Sequence, residues 1–389
     1  MNKLRLKIAI LSVALLTVTA GAAISPALGT IATAFPHASG TTIKLILTLP
    51  SLVIIPFIFV SSYLAKRIPK KQILFIGIAL YFIGGVGAGM VSTIPALLFF
   101  RVLLGIGAGL IMPISTSLVA DFYAGDERTK TMGQVSAVNN LSGVVLFIAS
   151  GLLAAISWRT AFSVYLIAIP VLILVTFHLP ATKPDPMKSS TTPSKPIPKK
   201  IYALSAAVFF LMMAFFSVPS NMALFMQQEG IGSSNYAGIV ISMGTAAGFI
   251  AGFVMQKVKK VIKSYFVVTQ LFLMAVGFFV MGYSYHMLIV ALGVGLMGFG
   301  FGSIFPTILD EVTRHVSKEQ TVQAMAIVTS MIFFGQFFSP LILDGVRILF
   351  ANETIRFTYQ FLGWVLLLGA GMSFIKNKSA KKEQKLHGL

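Results

Sequence analysis

Apolar residues in this chain fall into runs of about 20, the length that lets an α-helix cross the roughly 30 Å hydrocarbon layer of a bilayer. The runs lie near residues 7–29, 43–64, 72–92, 95–119, 135–156 and 160–180, then near 201–226, 236–256, 264–284, 287–309, 321–343 and 355–375. Each predicts a spanning helix, and most connections between them are short enough to predict antiparallel neighbours in compact bundles. One polar stretch is long: 181–200 carries Pro184, Pro186, Pro193, Pro196 and Pro198 among Ser, Thr and Lys. Such a composition buries no core and predicts an extended linker. The expected organisation is a six-helix bundle over 1–180, the linker over 181–200, and a second six-helix bundle over 201–389 ending in a basic, solvated tail from Lys376.

The two groups of six also repeat. At a shift of 193 residues Pro26 meets Pro219, Lys66-Arg67 meets Lys259-Lys260, Lys70 meets Lys263, and Gly84 and Gly89 meet Gly277 and Gly282. Gly105, Gly107, Gly109 and Pro113 then meet Gly298, Gly300, Gly302 and Pro306. With 34 Gly in 389 residues, chance supplies about one or two glycine pairs, fewer than are found. The turns and close-packing positions therefore recur in one order along both halves, which is the plan of a membrane carrier.

Composition excludes a soluble globule. The chain is 56% hydrophobic and 11% charged, against about 25% charged in soluble proteins. Its net charge of +19 follows the topology. If the N-terminus is cytoplasmic, all but five of the 30 Lys and Arg, namely Lys44, Arg101, Arg159, Arg347 and Arg356, fall on the inner side. That split obeys the positive-inside rule with both termini, the linker and the tail cytoplasmic. The basic residues sit in short loops beside lipid headgroups, so nucleic-acid binding is not expected. The first residues have the form of a signal peptide, but the repeat and the charge pattern both require them as a retained first span. There is no cysteine, which excludes disulfides and thiol-ligated metals.

Polar residues deep in the runs are the candidate chemistry. Arg101 lies about two turns inside the outer end of the fourth run, where an unpaired charge costs roughly 2.5–3.5 kcal/mol. Arg101, Gly105 and Gly109 share a helix face, so a second backbone can approach and give the guanidinium carbonyl partners; snorkelling to the outer interface is the alternative. Asn139, Asn140, Asn221 and Gln336 either bond helix to helix or line a pathway. The seventh run adds Phe209, Phe210, Met212, Met213, Phe215 and Phe216. These cover too much of a helix for all to face inward, and most are expected to touch lipid. All 11 Asp and Glu fall outside the middle of the runs. Asp121 lies about 21 Å beyond Gly107, outside a half-core of about 15 Å.

The fourth run, Phe100-Arg101-Val102-Leu103-Leu104-Gly105-Ile106-Gly107-Ala108-Gly109 with Pro113, resembles the helix-4 motif of drug:proton antiporters of the major facilitator superfamily. The loop Ser62-Tyr63-Leu64-Ala65-Lys66-Arg67-Ile68-Pro69-Lys70-Lys71 is similar to the superfamily's loop motif at Leu64, Ala65, Arg67, Lys70 and Lys71. It departs at Lys66, which replaces the aspartate of the cytoplasmic gate, and at Ser62 and Pro69, which replace glycines. After Gly143 the Gly-Pro pair of exporter helix 5 is missing, while Trp158-Arg159 and Phe162 match the usual entry to helix 6. The resemblance implies an all-α membrane protein of twelve helices in two pseudo-symmetric six-helix bundles around a central cavity. It implies alternating access, with Arg101 linked to proton transfer.

The expected function is a secondary transporter in a bacterial cell membrane, acting as a monomer and exporting small apolar or amphipathic molecules against a proton gradient. A facilitator or importer of a polar nutrient is the alternative. Few charged or amide groups converge mid-membrane, which favours the apolar substrate. No ATP-binding loop, His-Glu-x-x-His site or mid-span carboxylate pair occurs, so neither an ATP-driven pump nor a membrane enzyme is expected, and no cofactor or metal is called for. Proton coupling, weak or absent, is expected to run through Asp121, Asp310 or Glu311 at the inner end, with Arg101 tuning the cavity. Lys66, Arg67, Lys70 and Lys71 are the candidate inner gate, which Asp121 is expected to meet when the outer side is open; a purely topological role for the loop is the alternative.

Overall fold

The computed structural model describes residues 3–180 and 196–386, which are helical with no strand. Most of the expected linker, 181–195, lies outside the described residues. The first half comprises α1 (Lys3–Ala22), continued past a turn by Leu28–Ala34, then α2 (Gly40–Leu64), α3 (Lys70–Gly87), α4 (Ile94–Phe122), α5 (Gly125–Ile156) and α6 (Trp158–His178). The second comprises α7 (Lys199–Gln228), α8 (Ser234–Ile262), α9 (Phe266–Tyr283), α10 (Met287–Arg314), α11 (Lys318–Leu349) and α12 (Ile355–Leu386). Among the described residues ten stretches are long and apolar enough to cross a membrane, and one of them, Ser234–Tyr283, contains both α8 and α9. The tail from Lys376 was expected to be a solvated end, yet α12 continues into it as far as Leu386, and Asn377 donates to the Ser264 carbonyl at 2.5 Å.

Local chemistry accounts for the breaks. Pro26 has no amide hydrogen to continue the ladder of α1 and sits in the short 3-10 turn Ser25–Ala27. α11 opens on a capping box in which Ser317 and Gln320 satisfy each other's backbone. α1 is not one of those ten stretches, but it packs in the core: Ala9, Ile10, Val13 and Ala14 are all fully buried.

The glycine repeat has a packing cause. A Cβ on Gly105 would meet the Pro50 carbonyl of α2 at 2.9 Å, and one on Gly107 would meet the backbone of Gly77 and Tyr81 on α3 at 2.5 Å. In the second half Gly300 lies on α9, against the Gln270 carbonyl at 2.8 Å, while Gly298 and Gly302 lie on the backbone of Gly244 and Gly248 in α8. So α4 is pressed between α2 and α3 as α10 is between α8 and α9, and side chains are absent where backbones touch. The repeat reaches an arginine that a fixed shift misses. Arg159 Nη1 caps the carbonyls of Gly89 and Val91 at 3.2 and 2.6 Å, and Arg356 Nη1 caps those of Gly282 and Ser284 at 3.4 and 2.7 Å.

The twelve helices alternate in direction, so α1 starts where α12 ends. That end carries Lys66, Arg67, Lys259 and Lys260 and is called the basic end; the opposite one is the far end. The halves meet at three seams, α1 with α7, α2 with α11 and α5 with α8.

Candidate functional site

The seams are tight at the far end. Ser25 Oγ donates to the Pro219 carbonyl, and Gly29 lies against the Ala223 carbonyl, where a Cβ would come within 3.1 Å. Gly151 of α5 faces the Ser234 carbonyl of α8 at 3.0 Å in the same sense. Between α2 and α11 lies a buried ionic cluster: Asp344 accepts from Lys44 at 2.6 Å, Thr41 at 2.7 Å and Arg347 at 2.7 Å. Lys44 is 1% and Asp344 5% exposed, so these charges have only each other for solvation.

Below this seal the halves part. A cavity of about 310 Å³ lies between them, walled by Ile54, Met112, Phe147, Phe215, Met297 and Phe333. Its polar lining is Thr17, Ser51, Thr245 and Gln336. A second space of about 740 Å³ shares Phe215, Gly244 and Thr245 with the first and continues toward the basic end past Asn140, Phe249, Phe301 and Phe305. Among the described residues neither is lined by a charged side chain. Phe215 and Phe301 stack at 4.1 Å, and Phe301 and Phe305 at 5.2 Å, so a ladder of rings follows the passage.

Of the four amides singled out from sequence, Gln336 and Asn140 line this space, whereas Asn139 and Asn221 do not. Gln336 Oε1 accepts from Ser51 at 2.8 Å, a bond that joins α11 to α2 across the halves. Asn140 and Asn221 turn their Nδ2 back onto their own helices, to the Ser136 and Ser217 carbonyls at 2.9 and 2.8 Å. The expectation that most large residues of α7 touch lipid is corrected. Phe210 is 59% exposed, but Met212, Met213 and Phe216 are buried and Phe215 lines both cavities. The face of α7 opposite lipid meets the cavity, so the whole helix is apolar for two separate reasons.

Arg101 lies outside the cavity. It is fully buried inside the first half, where Nη2 donates to the Ala20 carbonyl at 3.1 Å and to Tyr165 Oη at 2.9 Å. The guanidinium carbon lies 5.1 Å from the Tyr165 ring centroid and 5.8 Å from that of Phe162. It does not snorkel, and its carbonyl partner comes from α1, whereas the glycine face brings up α2. Among the described residues its Nε and Nη1 find no protein acceptor.

At the basic end Lys70 bonds Asp121 at 2.7 Å and joins α3 to α4. Asp121 was expected to meet the loop with the outer side open, yet the pair is made here with the far end sealed. Lys71 caps the last carbonyls of α6, Thr176 and Leu179, at 2.8 and 2.7 Å. Lys66 and Arg67 are exposed, with Arg67 over the Tyr63 ring. Asp310 pairs with Arg314 at 2.9 Å, and Glu311 with Lys200 at 2.8 Å. Each ion pair found at this end stays within one half. The Lys44–Asp344 cluster, the Ser51–Gln336 bond and the phenylalanine ladder had not been foreseen; the signal for the first was a lysine and an aspartate placed unusually close to the ends of apolar runs.

The model of the Major Facilitator Superfamily matches residues 10–340. A bacterial homologue of the human lysosomal transporter Spinster, in an inward-facing and unoccupied conformation, superposes with a TM-score of 0.75 at 15% identity, covering 98% of each chain. A D-xylose-proton symporter superposes with a TM-score of 0.74 at 15% identity over 96% of this chain and 97% of the other. Among curated proteins, the quinolone resistance protein NorA of Staphylococcus aureus is 30% identical over 149 residues, 37% of this chain and 36% of its own length. Multidrug resistance protein 3 of Bacillus subtilis is 30% identical over 94 residues, 24% of this chain and 18% of its own. The matched segments thus span between about a fifth and a third of these relatives. The chain belongs to the major facilitator superfamily, whose members are transporters rather than enzymes.

Proposed function

We propose that this superfamily member works by alternating access, as a monomer in a bacterial cell membrane, and exports small apolar or amphipathic compounds from the cytoplasm. The observation that carries this reading is the cavity between the halves, whose walls are Phe, Met and Ile and whose polar lining is uncharged. Polar solutes such as sugars need several converging donors and acceptors to replace their hydration. A few hydroxyls and two amides among mostly apolar walls suit a hydrophobic ligand. Distant likeness to proteins named for drug resistance supports the same direction.

With the basic end cytoplasmic, as the positive-inside rule requires, the form described here faces inward. Residues 1–180 and 201–389 then rock about the cavity, and the far-end cluster is the outer gate. Proton coupling, where present, acts at helix ends: Asp121, Asp310 and Glu311 are the inner candidates, and Arg101 acts through the packing of α1, α4 and α6. Exporters of this kind collapse a pre-loaded dye gradient, so the test is efflux of a hydrophobic dye from energised cells, with and without a protonophore. Faster efflux than in cells lacking the protein is expected. Concentrative uptake of a sugar or nucleoside with no effect on the dye would overturn export and establish the nutrient reading. Orientation is checked with single cysteines: Lys259→Cys should react with an impermeant thiol reagent only from the cytoplasmic side, and Asn352→Cys only from outside.

A further inference from the structure

We propose that the cavity selects neutral, flat aromatic molecules carrying a hydrogen-bond acceptor, that the side-chain amide of Gln336 is the group that reads the acceptor, and that organic cations are rejected. The inference rests on the reading of this cavity as the substrate site. It goes further by fixing the charge and the polar anchor of the ligand.

The charge argument comes from where the carboxylates are. A cation entering the cavity leaves most of its hydration behind and needs a fixed negative charge to replace it. Among the described residues neither cavity is lined by one. The acid that follows Gln336 on α11 is Asp344, about 12 Å further along the axis at 1.5 Å per residue, and it already serves Lys44, Thr41 and Arg347. Glu229 is held by Arg356, Asp121 by Lys70, Asp310 by Arg314 and Glu311 by Lys200. The passage also opens toward the basic end, whose potential opposes cations. Aromatic faces are the other way to hold a cation. Here Phe301 is stacked between Phe215 and Phe305, which engages its faces, while Phe215, which lines both cavities, offers a surface to a flat ring and no fixed charge to replace a cation's hydration.

The polar argument comes from Gln336. Its Oε1 is occupied by the Ser51 hydroxyl at 2.8 Å, which fixes the direction of the amide. Its Nε2 donates to no protein acceptor among the described residues, and the half-buried side chain lines the cavity. A ligand acceptor satisfies that N–H group, whereas a ligand without one displaces its solvent and leaves it unpaired among apolar walls. Because Ser51 and Gln336 belong to different halves, the anchored ligand touches the hinge of the exchange itself.

Three probes of one shape test this: acridone, neutral with a carbonyl acceptor; 10-methylacridinium, a permanent cation; and acridine-9-carboxylate, an anion. Each is titrated by fluorescence anisotropy against the purified full chain in lipid nanodiscs, with empty nanodiscs as the control. Acridone is expected to bind saturably and at least about tenfold more tightly than either ion. Gln336→Leu should weaken acridone by about tenfold or more, Ser51→Ala by less, and Phe215→Ala should weaken all residual binding. Comparable or tighter binding of 10-methylacridinium overturns the proposal, and so does acridone binding that is unchanged in Gln336→Leu. Absence of saturable acridone binding to a wild-type sample that remains monodisperse and helical overturns it as well. Efflux of 10-methylacridinium by cells would keep the export reading while sinking this inference; acridone binding that obeys Gln336, without any efflux, would do the reverse.

Discussion

Both ends of the molecule carry ion pairs within one half, Arg356–Glu229 and Arg347–Asp344 at the far end among them, but among the described residues only the far end adds one across the seam. At the far end Lys44, Asp344 and Arg347 are nearly or wholly removed from solvent, and the Lys44–Asp344 bond joins the two halves. At the basic end the Lys200–Glu311 and Arg314–Asp310 pairs are exposed and internal to the second half, while Lys70–Asp121 is half-buried and internal to the first. A pair across the seam has to break whenever the far end opens, whereas a pair within one half travels with it. The far end therefore stores a conformation-dependent interaction, whereas the basic-end pairs stiffen each half and leave the seam free.

The strongest test of that contrast removes one partner at the far end. Asp344→Asn leaves Lys44 buried without its counter-charge, a change that costs about 3–5 kcal/mol in comparable sites. That exceeds the gap of a typical two-state carrier, so the sealed form should lose its dominance. A reporter cysteine at Thr48, buried one turn below Lys44, should react with an impermeant maleimide from the far side at least about tenfold faster in Asp344→Asn. Lys44→Met combined with Asp344→Leu should lie closer to wild type than either single change, because the deeply buried lysine is no longer stranded and Arg347, at 15% side-chain exposure, keeps the Glu353 carbonyl at 3.0 Å. Unchanged labelling in the single variants would show that the cluster is not a gate.

Arg101 sharpens the contrast, since it is buried toward the same end yet bonds only within the first half. Arg101→Ala removes a cation packed on two rings and strands Tyr165 Oη, and about 2–3 kcal/mol of stability is expected to go with it. Arg101→Lys should recover little, because an ammonium on a shorter stem loses the planar packing against the Tyr165 and Phe162 rings. The thermal midpoint should therefore fall in both, while Thr48→Cys labelling stays near that of the parent at low temperature. A tenfold rise in labelling without a fall in midpoint would place Arg101 in the gate instead.

The sequence announced the spans and the repeat because both depend on local chemistry. The run at 95–119 became Ile94–Phe122, and the glycine shift of 193 proved to mark backbone contacts between α4 and its neighbours. It under-read helices that leave the membrane: α5 starts at Gly125, ten residues before the apolar run, since hydropathy senses the hydrocarbon layer and polar helix turns continue beyond it. The gate was hidden for another reason. Lys44 and Asp344 are 300 residues apart, and nothing in the periodicity of α2 or α11 states that the two helices share a seam. Gln336 and Asn140 were noticed as intramembrane amides, but which of four amides faces the cavity depends on the rotation of each helix in its bundle. Arg101 was legible as anomalous, though its partners were sought on the glycine face and found on α1 and α6.

Within the basic end, Lys70–Asp121 should matter more than the exposed pairs. Lys70 is 5% exposed and the Asp121 side chain 27%, so Asp121→Asn should cost on the order of 1–2 kcal/mol and lower transport a few-fold, with Thr48→Cys labelling unaltered. A large labelling change would mean that the pair reaches across the seam in some state and would undo the division between the ends.

The smallest effect belongs to Lys200–Glu311, where the side chains are 49% and 40% exposed. Water screens such a pair, and surface pairs contribute about 0–1 kcal/mol. Glu311→Gln is therefore expected to change the thermal midpoint by no more than about 1–2 °C in a chain of this size and efflux by less than about twofold. The consequence for coupling is sharper than the number suggests. A carboxylate that carries a proton between the two sides has to meet both, and Glu311 is held at one end by a partner on its own half. If uphill transport in proteoliposomes under an imposed pH gradient collapses in Glu311→Gln while the midpoint stays put, the residue is a proton carrier, and the basic end then does more than stiffen its half. If accumulation survives in Glu311→Gln, Asp310→Asn and Asp121→Asn alike, the coupling site lies elsewhere, and the buried carboxylate of Asp344, which joins the halves and must be exposed when they part, becomes the acid to neutralise next.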